Sequence, residues 1–379
     1  MMTDFINQLD ESAGGKPNGS GPQLPEPLHV INPADWQDQP IPQRHWIVPD
    51  WIPSGVVTGL YGPPGLGKTT ILQQLAASRA LDKPWLGRPV KPGKTILFLC
   101  EDDEFEPHRR QEDINAFYGC SYRDLGSTVR IVPRLGYDNT LMTFRDGRAV
   151  LMPFYDQVLE AALSFGADLV GIDTVADTFG GNQNDSGHAR QFVQFCLGSI
   201  ARALGGAVLA CAHPSQYGKS TGSGESGSVQ WDATFRSRLY LDAPKANGEM
   251  PEEGARILTR KKANYASRND TIDLVWSDGV FKDKYAPTGI LGAIERKTAE
   301  RVFCDMLDRV NGEGQRVSHK SRASNYAPRI FALRPDRERF ERVDFERAMH
   351  ALLSRQEIII GTYTDAHRNT NECLMRSGV

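Results

Sequence analysis

The stretch GVVTGLYGPPGLGKTTILQQL, residues 55–75, decides the fold. Its first seven residues are apolar, small or β-branched and read as a buried strand, and TILQQLAASRA (70–80) has the apolar spacing of a helix. Between them lie Gly62, Pro63, Pro64, Gly65, Leu66, Gly67, Lys68 and Thr69. A strand passing through such a turn into a helix aims successive backbone N–H groups, and the positive end of the helix dipole, at one point. That geometry suits phosphate. Lys68 is then placed for the β- and γ-phosphates, the Thr69 hydroxyl for Mg²⁺, and Thr70 for the first helical turn beside them. The expected ligands are ATP and Mg²⁺.

Working outward, short apolar runs recur at 95–100, 129–133, 168–173 and 207–213, with helical patterns between them. This alternation predicts an α/β fold with a mostly parallel sheet. Runs at 238–242, 255–261 and 271–276 follow without helices and predict an antiparallel extension. Residues 1–44 read as a disordered tail and lead-in, 45–285 as the main domain, and 286–297 as a linker where Gly and Pro break the pattern. Residues 298–379 read as three helices and a β-ribbon, a winged-helix-like order. In its third helix Phe345, Met349, Leu352 and Leu353 have the spacing of core residues.

The run ILFLCEDDE (96–104) sets acids directly on the end of a buried strand, a costly place for charge unless the chemistry there uses it. A triphosphate site needs a carboxylate to orient and polarise water. Glu101, the first of these acids, is positioned for that role, while Asp102 and Asp103 suit the start of the next helix. The competing reading has all four acids simply solvating a helix terminus. DLVGIDT ends a second apolar strand at Asp173, a residue type that supports Mg²⁺ from the side opposite the loop. AVLACAH ends a third at His213, which is either structural or a γ-phosphate sensor.

Composition excludes little. With 40% apolar and 24% charged residues and a net charge of −3, the chain is an ordinary globular protein, and a local basic lining remains compatible with that balance. No apolar run is long enough to span a membrane. The polar N-terminal stretch does not read as a secretory leader, and six scattered cysteines without a CxxC pair read as reduced structural thiols, so the expected setting is cytoplasmic and without a cysteine metal site.

Taken together, WIVPDWIPSGVVTGLYGPPGLGKTT, LFLCEDDE, LVGIDTVADTFGGNQND, LACAHPS, WDATFRSRLYL and KKANY resemble the RecA-like ATPases, most closely the RepA-type hexameric replicative DNA helicases of plasmids and phages. The resemblance covers roughly 45–285. It implies that the strands bearing the phosphate loop, His213, Asp173 and Glu101 lie side by side, that Glu101 activates water, and that His213 senses the nucleotide. It also implies a cation supplied across a subunit interface, for which Arg236, Arg238 and Lys262 are the candidates, Arg236 first. The implied assembly is a homo-oligomeric ring, hexameric in this family, acting on single-stranded DNA. Loops 176–190 and 215–230 would then face the channel, yet they offer only Arg190 and Lys219 as cations. In the C-terminal segment Arg316, Lys320, Arg322 and Arg329 either contact a duplex backbone or stay solvated. Two other readings stand beside the helicase: a RecA/RadA-like recombination ATPase that builds filaments, and a DNA-binding ATP switch that does not unwind.

Overall fold

The structure, a computed structural model, describes residues 30–213, 231, 234–244, 254–263, 270–285, 289–320, 323–364 and 370–377. The stretch up to Gln43 forms one unit and Arg44–Val379 another. In the first, Pro33–Trp36 make a 3₁₀ turn whose Asn32 side chain accepts from the Ala34 amide. Of the disordered tail and lead-in expected over 1–44, residues 1–29 lie outside the described residues.

The body is built on a nine-stranded sheet. Its strands are β1 (Val57–Tyr61), β2 (Thr95–Leu99), β3 (Val129–Pro133), β4 (Leu169–Asp173), β5 (Ala207–Ala212), β6 (Ser237–Asp242), β7 (Ala255–Ala263), β8 (Thr271–Ser277) and β9 (Val280–Asp283). Across the sheet the order is β9-β8-β7-β6-β1-β5-β4-β2-β3. From β6 to β3 all neighbours are parallel, and β7, β8 and β9 are added antiparallel. This is a RecA-like P-loop core with the antiparallel extension that the helix-free run of strands predicts.

Every residue of β1, β2, β4 and β5 is buried, as parallel strands covered on both faces require. Alternate residues divide between two cores. Leu60, Leu97, Leu99 and Leu209 pack on Ile71, Leu72 and Leu75 of α1 (Lys68–Ala80). Tyr61, Phe98, Ile172 and Val208 pack on Phe154 and Val158 of α3 (Pro153–Phe165), and on Phe192 and Ile200 of a helical stretch from 186 to 203. Between α1 and α3 in the chain, α2 (Phe105–Tyr118) leaves the end of β2.

Three features depart from the sequence reading. Residues 289–297, part of the linker expected over 286–297, are the first turns of α4 (Gly289–Gly312), while 286–288 lie outside the described residues. A hairpin, Met142–Arg145 with Arg148–Leu151, was not anticipated, nor was its parallel pairing with Phe179–Gly180. Finally, β9 closes the sheet edge.

The C-terminal module runs α4, α5 (Ala327–Ala332), α6 (Arg342–Ser354), β10 (Ile358–Thr364) and β11 (Thr370–Arg376), a helix-helix-helix-ribbon order. Phe345, Met349 and Leu352 lie in its core with Phe303, Phe331 and Leu374, and Leu353 packs against it. Among the described residues no helix is long and apolar enough to cross a membrane.

Candidate active site

The phosphate loop leaves β1 at Tyr61 and enters α1 at Lys68. Two of its glycines are required sterically. A Cβ on Gly62 would stand 2.6 Å from the Leu241 carbonyl oxygen. Gly67 has φ +95°, and a Cβ there would come within 2.5 Å of the Phe281 ring. Pro64 and Gly65 form the exposed crest, flanked by the half-buried Pro63 and Leu66. Because the first backbone bond of the helix runs from the Ile71 amide to the Gly67 carbonyl, the amides of Lys68, Thr69 and Thr70 precede that bond and are the N-terminal donors of the helix. A glycine-rich turn whose Gly62 and Gly67 admit no Cβ, rimmed by such donors, fits a polyphosphate.

Lys68 is buried and its Nζ donates to the Gly62 carbonyl at 2.8 Å and the Pro63 carbonyl at 3.0 Å. It also lies 3.3 Å from His213 Nδ1. An ammonium has only donors, so this contact makes Nδ1 the acceptor and leaves the His213 proton on Nε2. His213 follows β5, which pairs directly with β1, so the sheet itself brings the two side chains together.

Thr69 Oγ1 donates to Asp173 Oδ2 at 2.5 Å. Asp173 is the last residue of β4, level with Leu99 on β2 and Cys211 on β5. Burial pushes its carboxyl above the usual carboxylate range, and the charge of Asp102 adds to this, while the Thr69 hydrogen bond, Lys68 and Arg110 oppose it. Among the described residues no three His, Cys, Asp or Glu side chains could enclose a metal unaided. One hydroxyl and one carboxylate match Mg²⁺ instead, which keeps several waters and takes oxygens from its phosphate ligand. Bound there, the ion would neutralise charge developing on the phosphates.

Glu101 lies at the end of β2 in the same crevice. Its carboxyl is raised by partial burial first and then by the neighbouring charges of Asp173 and Asp177, with His213 and Lys68 pulling the other way. It makes no hydrogen bond or ion pair among the described residues. Its two followers do: Asp102 pairs with Arg110 of α2 at 2.9 Å, and Asp103 accepts from the Phe105 and Glu106 amides. The first acid is therefore the one whose carboxylate has no structural partner among the described residues, while the next two fasten the helix.

Asp177 is a site residue that the sequence reading passed over. Its Oδ2 accepts from the Thr174 hydroxyl at 2.6 Å and the Thr174 amide at 3.3 Å, closing a capping box directly after Asp173. The T-x-x-D pattern was legible as a cap, but nothing local announces that its charge also bears on Glu101. Cys100, between these acids, is pushed up to about 12 by burial and by Asp177 and Asp173, so it stays a thiol.

The three candidate cations lie elsewhere. Ser237 is level with Thr58, and Tyr240 with Tyr61, so Arg236 sits at the amino end of the sheet, about 13 Å along the strands from the phosphate loop. Arg236 is exposed. Arg238 is 8% exposed, with its guanidinium 5.9 Å from the Tyr61 ring centre. Lys262 pairs with Arg238 across β6 and β7. Lys219 and the 215–230 loop lie outside the described residues, as does Arg322.

A family model described as an AAA domain matches residues 24–219, just over half of the chain. The chain belongs to the AAA domain family. It is a P-loop ATPase, and the loop, Thr69–Asp173 pair and strand-end acid derived above lie within the matched segment. A comparison with curated proteins finds no match.

Proposed function

We propose that this AAA ATPase is a RepA-type helicase or translocase: a ring, hexameric as in that family, that hydrolyses ATP between subunits and moves on single-stranded DNA during replication of a plasmid, phage or mobile element. Lys68 and the loop amides hold the triphosphate. Thr69 and Asp173 hold Mg²⁺. Glu101 orients and deprotonates the attacking water, and His213 Nδ1, bonded to the Lys68 ammonium, registers the γ-phosphate.

The observation that carries the subunit-interface part is the separation of the machinery across one sheet. Lys68, Asp173 and Glu101 lie at the carboxyl edge, whereas the exposed Arg236 lies toward the other end, out of reach of its own loop. A guanidinium so placed can stabilise transition-state charge in a neighbouring copy. The DNA-binding switch remains a second reading, supported by the docking of α6 on the ATPase body through Arg347 and the buried Asp283.

Strand displacement on a forked DNA, with and without ATP, separates these readings when run beside ATPase rates with single-stranded, duplex and no DNA. ATP-dependent displacement is the expected result. ATP turnover stimulated by DNA with no displacement would leave the switch.

A further inference from the structure

The loops expected to face a polynucleotide carry few cations, and the unanticipated hairpin offers two. Arg145 and Arg148 are directly opposed at its tip, joined by Asp146 at φ +49° and Gly147 at φ +73°. Both central residues in the left-handed region make this a tight two-residue turn, which accounts for the Asp-Gly pair in the sequence. It does not account for the arginines. Like charges directly opposed across an antiparallel pair destabilise it. Both arginines are exposed, and among the described residues neither side chain makes a hydrogen bond, an ion pair or a ring contact. Several other exposed arginines of the body do, Arg109 with Glu106, Arg130 with the Gly126 carbonyl and Arg202 with the Gln194 carbonyl among them, though Arg123, Arg190 and Arg236 share the lack of a side-chain contact among the described residues.

The hairpin is rooted in the active-site edge. The Leu141 amide donates to the Thr178 carbonyl at 2.9 Å, and Met142 and Thr143 pair in parallel with Phe179 and Gly180. The Phe144 ring stacks on His188 at 3.6 Å. Its base is thus fastened to the segment that begins at Asp173 and carries Asp177, while its tip stands in solvent with two guanidinium groups.

We propose that Arg145 and Arg148 are a phosphate-backbone contact for single-stranded polynucleotide, and that the hairpin carries that contact to the segment following Asp173. Directly opposed residues project from the same face, so the two planar forks can grip phosphate oxygens together, and an anion between them removes the repulsion the empty pair bears. The inference deepens the polynucleotide reading above and rests on it.

The test uses full-length protein, labelled oligo(dT) and anisotropy titrations over a range of KCl. Removing one phosphate-neutralising cation lowers the slope of log affinity against log salt by about 0.7. Arg145→Ala with Arg148→Ala should therefore flatten it by about 1.4, so that a fourfold rise in salt costs about sevenfold less affinity than in the wild type. Arg145→Lys with Arg148→Lys should keep the slope. DNA-independent ATPase should be unchanged in both, and DNA stimulation should fall in the Ala pair. A wild-type slope in the Ala pair overturns the hairpin contact alone. So does an altered particle mass with an unaltered slope, which would make the hairpin a contact between copies. A wild type that hydrolyses ATP but binds no oligo(dT) overturns the polynucleotide reading itself.

Discussion

Replacing Glu101 by Gln keeps the shape of the side chain and removes its basicity. A positioned general base contributes roughly 10²–10⁴-fold, about 2.7–5.4 kcal/mol of barrier. The whole of that contribution should disappear because no neighbouring carboxylate is equally free: Asp173 accepts from Thr69, and Asp177 from Thr174. Nucleotide binding should hold or tighten, since Lys68, Thr69 and the loop amides remain and one anion beside the triphosphate is gone. The pH behaviour follows from the sign of the shift. Glu101 is raised above 4.5, so wild-type turnover should decline from a higher pH than an ordinary glutamate dictates, and the residual turnover of the Gln variant should lack that limb. For stability, ionised Glu101 is disfavoured in the folded state. Its contribution is fully retained below the unfolded pKa and lost as pH rises through the folded one, so the Gln variant should be at least as stable as wild type at neutral pH and lose that advantage in acid. The assay is steady-state phosphate release followed from acid to alkaline pH, with a fluorescent nucleotide for affinity. Turnover within threefold of wild type would refute the reasoning and move water activation elsewhere, Asp177 being the nearest alternative.

Two further substitutions probe the rest of the scheme. Arg236→Ala should leave nucleotide affinity intact and abolish the rise in specific ATPase activity with protein concentration; an unchanged concentration dependence would exclude it as the residue acting on a neighbouring copy. Arg347→Ala should strand Asp283, only 3% exposed at its side chain, without its cation, costing about 3–5 kcal/mol and lowering the urea midpoint, whereas an unmoved midpoint would show the pair to be dispensable.

Much of the site was legible because its chemistry is local in sequence. A glycine-rich turn between a strand and a helix, and acids ending apolar strands, are read from neighbouring residues alone, and a parallel sheet then brings those strand ends together. The hairpin was also within reach, since Arg145-Asp146-Gly147-Arg148 holds an Asp-Gly turn, but its flanks are short and only weakly alternating. Residues 289–297 misled because Gly, read as a break, can also stand in the first turns of a helix. The burial of Arg238 beside Tyr61 had no local signal at all: it depends on β6 pairing with β1, strands about 180 residues apart, as their register requires. The same holds for what covers α6, which no periodicity reports.

That covering bears on the proposal that the C-terminal module meets DNA. In a winged helix the third helix commonly enters the major groove. Here one side of α6 fills the module's own core through Phe345, Met349 and Leu352, and its other side faces the ATPase body. Arg347 pairs with Asp283, while Glu346 and His350 line a small polar cavity with Asp50, Arg88 and Arg260. Asp283 ends β9, and two residues earlier Phe281 is the ring that stands where a Cβ on Gly67 would go, its amide and carbonyl both held by the Gln74 side chain of α1. Phe281 and Asp283 fall on the same side of a strand, so one four-residue edge element supports both the phosphate loop and the helix that would read a duplex. Freeing α6 for a groove would break an ion pair and unbury Asp283. A duplex contact that leaves the dock intact must use another face. Arg316, Lys320 and Arg329 remain, but each is already engaged, Arg316 with the Asn311 and Gln315 carbonyls, Lys320 with Glu372, and Arg329 with the Ala323 and Ser324 carbonyls. The hairpin arginine side chains have no such competing partners among the described residues, and for that reason the proposed polynucleotide contact is placed on the ATPase body rather than on the module.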